Sequence, residues 1–175
     1  MKVIYVAGLM AALTIPAAAA SAQAVTDPQI AAIVVTANQV DIDAGKLAAA
    51  HANNPEVKKF GELMAADHAG VNKSATELVT KLKVTPEENA TSKALKAGGD
   101  KNLANLKSLK GAAFDKAYVD NEVAYHQQVL DAVDKTLIPS ASNAELKALL
   151  VKVRPAFVAH LEHAKKMQAS MSKKA

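Results

Sequence analysis

The sequence predicts an all-α fold, an up-and-down bundle of four long helices with a long crossover between the second and third. Three observations predict it. Apolar residues recur at three- and four-residue steps over long stretches, the spacing of one helix face. Asp27-Pro28 and Asn54-Pro55 are cap-then-proline pairs of the kind that open helices. Half the 175 residues are apolar, much of that alanine, with only three Phe, three Tyr and no Trp. Side chains this small favour helices packed closely over a thick sandwich core.

The first 24 residues read as a secretory signal peptide. Lys2 gives a positive start, an apolar run follows from Val3 to Pro16, and Ala20-Ser21-Ala22 and Ala22-Gln23-Ala24 offer cleavage after Ala22 or Ala24. The run is short for a membrane span, which takes ~20 residues. Residues 25–171 are expected to form one bundle domain, soluble in the periplasm, with 172–175 as a frayed tail. The chain contains no cysteine. That excludes disulfides, thiolate catalysis and a lipid-bearing cysteine, so stability rests on packing.

Helix one is expected to start at the Asp27 cap, carry Ile30, Ile33, Ala37, Val40, Ala44 and Leu47 on one face, and end near His51. Helix two starts at Asn54-Pro55, with Val57, Phe60, Met64, His68, Val71, Ala75, Leu78 and Leu82 as its stripe. So short a connection makes the pair an antiparallel hairpin. From Lys83 to Lys110 the pattern weakens, broken by Pro86 and Gly98-Gly99, and the segment reads as the crossover. Helix three begins at Gly111, bears Val119, Val123, His126, Leu130, Val133 and Leu137, and stops at Ile138-Pro139-Ser140. Ser142-x-x-Glu145 reads as a capping box for helix four, whose stripe runs Leu146, Leu149, Val153, Phe157, His160, Ala164, Met167 and Met171. Pro155 inside it should kink the helix or leave a carbonyl unpaired. Two short hairpins joined by one long crossover is the ferritin-like arrangement.

The net charge is a modest +4, and Arg154 is the only arginine. Nucleic-acid grooves rely on arginine forks and stacking aromatics, and both are scarce, so no nucleic-acid partner is expected. The crossover lysines (93, 96, 101, 107 and 110) read as a solvated surface. An envelope protein or a second copy of the chain are the partners left open. No Gly-x-Ser-x-Gly elbow, phosphate loop or dinucleotide fingerprint occurs.

The residues that could carry chemistry are His68, His126 and His160, each on the inward stripe of a different helix and each nearer its middle than its ends. Glu122 precedes His126 by one turn on the same face, so it can orient the imidazole or serve as a ligand. Asp67, Asp115 and Tyr118 are candidates for supporting hydrogen bonds, and Asp41 and Asp43 could face the same level from helix one. Three imidazoles with a carboxylate suit zinc, copper or iron. The alternative is a polar core without a ligand, in which the same groups pair with one another. Ala65, Val123 and Phe157, three residues before the respective histidines, break the Glu-x-x-His pattern of di-iron oxidases. His160-x-x-His163 and His51 read as surface features, and Met64, Met167 and Met171 as core filler.

Five ordered segments carry a resemblance. They are Ala-Asn-x-x-Asp-Ile-x-Ala-Gly-Lys-Leu-Ala at 37–48, Asn54-Pro55-x-Val57-Lys58-x-Phe60, Met64-x-x-Asp67-His68, Lys110-Gly111-x-x-Phe114-Asp115-x-x-Tyr118 with His126, and Pro155-x-x-x-x-His160-Leu161. Together they resemble a bacterial ferritin-like family known as domain-of-unknown-function family 4142. The resemblance implies export and a helical bundle, and suggests envelope homeostasis or stress tolerance; it assigns no activity. Three readings follow: a non-enzymatic metal-binding protein, a ligand-free interaction module, and a metal-dependent enzyme.

Overall fold

A computed structural model describes residues 25–173. The expected signal peptide and the last two residues lie outside them. Among the described residues the chain is entirely helical, without strands: α1 (Asp27–His51), α2 (Pro55–Leu82), α3 (Ala90–Ser108), α4 (Gly111–Ala132), a π-helical turn (Val133–Leu137), the single turn α5 (Ile138–Ser140) and α6 (Ala144–Ser172). No helix among them is long and apolar enough to cross a membrane.

Two helix starts differ from the expected ones. Thr26, not Asp27, caps α1 and forms a capping box with Gln29. Asn143, not Ser142, caps α6, accepting from the backbone N–H groups of Glu145 and Leu146. Asn54 caps α2, with Pro55 opening the helix. Relieved of capping, the Asp27 carboxylate accepts the N–H groups of Ser142 and Asn143, both at 2.9 Å. Asp115 does the same at the other end, accepting from Asn53 at 2.9 Å and Asn54 at 2.8 Å. Each helical hairpin therefore lends one carboxylate to the turn of the other.

These clamps also orient the helices. The start of α4 lies at the α1–α2 turn and the start of α6 lies beside the start of α1, so α4 runs parallel to α2, and α6 parallel to α1. Between them α3 climbs alongside α1. The crossover segment, where the apolar pattern weakens, is itself largely helical: residues 90–108 form a helix begun by an Asn89 capping box. Gly98 and Gly99 do not interrupt it. A Cβ on Gly99 would stand 2.7 Å from the Val40 side chain, so the missing side chain is what seats α3 on α1. Gly45 and Gly61 do the same for α1 and α2, since a Cβ on either would come within 2.7 Å of the other's carbonyl oxygen.

Helix α6 continues through Pro155. The residue-151 carbonyl that proline deprives of its donor lies on an exposed turn, where water can satisfy it. Arg154 forks onto Asp134 of the π-helical turn at 2.6 and 2.7 Å. Two apolar clusters fill opposite ends of the bundle. Phe60, Met64, Leu106, Phe114, Tyr118 and Met167 pack at one, and Ile30, Ile33, Val133, Leu137, Leu146 and Leu150 at the other. A polar layer separates them.

Candidate metal centre

Four helices supply that layer. Asn38 and Asp41 stand one turn apart on α1, His68 comes from α2, Glu122 and His126 from α4, and His160 from α6. All six are buried, and the Asp41 and Glu122 side chains are 0 % and 1 % exposed. The three imidazoles form a near-equilateral triangle, with ring centroids 5.5, 5.3 and 5.5 Å apart. A ligand atom from each lies within 4.8 Å of the others, and Asp41, Glu122 and His126 form a second such group. Phe157 stacks flat on His68 at 5.2 Å and holds that ring in plane.

Each imidazole has one nitrogen engaged by an acceptor. Asn38 spends its Nδ2 donor on the Val34 carbonyl at 2.8 Å, so its Oδ1, 2.7 Å from His68 Nδ1, accepts from that ring. His126 Nδ1 lies 3.0 Å from the Glu122 carbonyl oxygen, and His160 Nε2 lies 2.9 Å from Asp67 Oδ2. Three acceptors thus claim three N–H groups. In a neutral ring the other nitrogen then carries a lone pair. Those nitrogens, His68 Nε2, His126 Nε2 and His160 Nδ1, are buried and have no hydrogen-bond partner.

The carboxylates share the condition. Both oxygens of Asp41 and both of Glu122 lack a hydrogen bond, as does the Tyr118 hydroxyl. Asp41 Oδ2 nevertheless lies 3.0 Å from His68 Nε2 and 3.4 Å from His126 Nε2. Buried polar atoms in native proteins are paired in the great majority. Eight unpaired ones converging on one layer therefore call for a partner.

Electrostatics favours the neutral form of two of the imidazoles, His126 and His160. Burial, reinforced by repulsion from His68 and His160 and opposed by Asp41, lowers His126 to about 4. Burial also lowers His160, against its hydrogen bond to the Asp67 carboxylate. Burial pushes the Asp41 carboxyl up, but His68, with His126 and His160, outweighs it and holds Asp41 below its ordinary value. Glu122 goes the other way, raised well above its ordinary value by burial and by the neighbouring Asp41 charge. Burial thus disfavours the protonated forms of His126 and His160, as a cation requires of its imidazole ligands.

Of the residues singled out from the sequence, His68, His126, His160 and Glu122 lie together here. Asp67 supports His160 from a partly exposed position, and Tyr118 lies against Glu122, whose charge, after burial, helps raise its hydroxyl. Asp115 is elsewhere, with both oxygens committed to the α1–α2 turn. Asp43 faces outward and accepts from Gln39. His163 is exposed against the edge of Phe60. The layer also holds Asp41, which the sequence sets level with Asp43, and Asn38, which lies off the apolar stripe of α1. Their signal was the line Asn38, Asp41, Gly45, Ala48, small and polar residues at helical spacing.

Fold and site together define a helical bundle with a buried histidine–carboxylate cluster. The chain belongs to the family described as Domain of unknown function (DUF4142), whose model matches residues 12–167. No curated protein and no solved structure matches it.

Proposed function

We propose that this is an exported periplasmic protein of ferritin-like, four-helix topology that binds one transition-metal ion, zinc, copper or iron, in its interior. On this reading it acts by binding and not by catalysis, in envelope homeostasis or stress tolerance. Export rests on the signal-peptide pattern of residues 1–24, and the physiological role on the family resemblance. The observation that carries the metal is the convergence of three unpaired imidazole nitrogens on unpaired Asp41. A tetrahedral ion with bonds of 2.0–2.1 Å holds its ligand atoms roughly 3.3 Å apart. Asp41 Oδ2 already stands 3.0 and 3.4 Å from two of the nitrogens. Without sulfur the donor set is nitrogen and oxygen, which imidazole-preferring ions accept.

A second reading is a ligand-free polar core that fixes how the helices pack. The short His68–Asp41 approach favours it, because a protonated His68 would also explain that distance. It leaves His126 Nε2 and His160 Nδ1 unpaired. Thermal melts of metal-free protein separate the two readings. Ion at a hundredfold excess over its Kd adds about 2.7 kcal/mol of stability, so at least one of Zn²⁺, Cu²⁺ and Fe²⁺ should raise Tm by several degrees and a chelator should reverse it. An unchanged Tm with all three would favour the polar core.

A further inference from the structure

The metal layer forms one wall of a groove. Between α3 and α4, floored by α1 and α6, lies a cavity of about 570 Å³, within the usual range for small-ligand sites. Val34, Ala37, Val129, Leu150 and Phe157 are among its lining residues, and Asp41, His68 and His126 also reach it. Apart from Asn38, which is buried in the same polar layer, its other polar residues, among them Thr91, Asn102 and Gln128, are exposed or half-exposed and form its rim. The buried interior is thus apolar except at the metal layer, where Asp41, His68 and His126 bring atoms that lack hydrogen-bond partners.

An apolar slot with one buried polar wall matches an amphiphile. Its lining on α1 runs from Ile33 to Asp41, roughly 12 Å at helical rise, about the length of a ten-carbon chain with C–C bonds near 1.5 Å. A water-like ligand gains little from such walls, whereas a hydrocarbon tail gains with each methylene it buries. A carboxylate head is an oxygen donor that zinc, copper and iron accept. We propose that the groove binds a medium-chain carboxylic acid, with its tail between α3 and α4 and its carboxylate as a fifth ligand to the ion held by the three imidazoles and Asp41. This rests on the metal reading above.

The test is calorimetric titration of decanoate, below its micelle-forming concentration, into metal-loaded and metal-free protein, with 1-decanol as the uncharged comparison. Metal content is measured on every sample. Decanoate should bind the loaded form at least tenfold more tightly than the metal-free form, while decanol should not distinguish the two. Val129→Trp, which fills the groove, should weaken decanoate at least tenfold and retain the ion. Ala124→Phe at the exposed rim is the milder variant should Val129→Trp fail to fold. Loaded protein that ignores decanoate, or binds it equally without metal, overturns the groove proposal and leaves the metal reading standing. Undiminished binding to a folded, loaded groove variant overturns it as well. Protein that takes up no ion overturns both.

Discussion

His68 Nε2 lies 3.0 Å from Asp41 Oδ2, yet the two are not aligned for a hydrogen bond. The other nitrogen of the ring is already donating to Asn38. A lone pair and a carboxylate at that distance repel unless a cation, metal or proton, lies between them. The same relation recurs, slightly longer, between Asp41 and His126. Asp41 is thus the anion around which the layer is organised.

Asp41→Asn keeps the shape and removes the charge. Metal affinity should fall at least tenfold, a loss that even supporting residues produce, while the helical content of the protein is unchanged. Calorimetric titration with Zn²⁺ measures the first and circular dichroism the second. Equal affinity in Asp41→Asn would remove Asp41 from the coordination shell.

Asn38→Ala and Asp67→Ala test the outer nitrogens. Each replaces the acceptor that aims one imidazole, so each should cost 10–100-fold in metal affinity without removing a ligand. Asn38→Asp restores an acceptor and should recover most of the loss. If neither substitution changes affinity, the tautomers are set by something other than these partners.

The metal-free protein should show two opposing pH dependences. Glu122 has a raised folded value, so its contribution is fully present below about 4.5 and is lost as pH rises through that raised value. Glu122→Gln should therefore make metal-free protein more stable than wild type at pH 8 and little different at pH 4. His126 is lowered to about 4, so its contribution is complete above about 6.5 and is lost as pH falls towards 4. That loss is about 3 kcal/mol for a shift of this size, and with the lowered His160 beside it it should steepen the acid side of the Glu122→Gln profile, where the opposing slope is gone. Urea denaturation at stepped pH values reads both.

Asp27→Asn and Asp115→Asn each weaken two charge-assisted hydrogen bonds across the hairpins. Each should cost about 1.5–3 kcal/mol of stability and leave metal stoichiometry alone, because both clamps lie at the ends of the bundle. Loss of the ion from a folded clamp variant would mean that the hairpins set the ligand geometry from a distance.

Most of this architecture was legible because α2, α4 and α6 have one buried stripe each, and their histidines lie on it. Helix α1 was harder. It is covered by α2, α3 and α4, so its buried residues run almost all the way round, from Ile30, Ala31 and Ile33 to Asn38, Asp41 and Gly45. Hydrophobic periodicity finds the greasiest line of such a helix and not the line that faces the site. Helix α3 was hidden for a related reason. It buries only Ser92, Gly99 and Leu106, and a glycine that reads as a breaker is its contact with Val40. Asp27 reads as a local cap and Asp115 as a support for the histidines because sequence spacing shows only near neighbours, whereas their partners lie 115 and 116, and 61 and 62, residues away.

The most direct measurement is elemental analysis by mass spectrometry of protein purified without chelator or affinity tag, beside the His68→Ala, His126→Ala double variant. The metal reading predicts zinc, copper or iron near one per chain in wild type and none in the folded variant. Wild-type protein free of transition metal that also fails to take it up when offered, or a folded variant with undiminished metal, would contradict it.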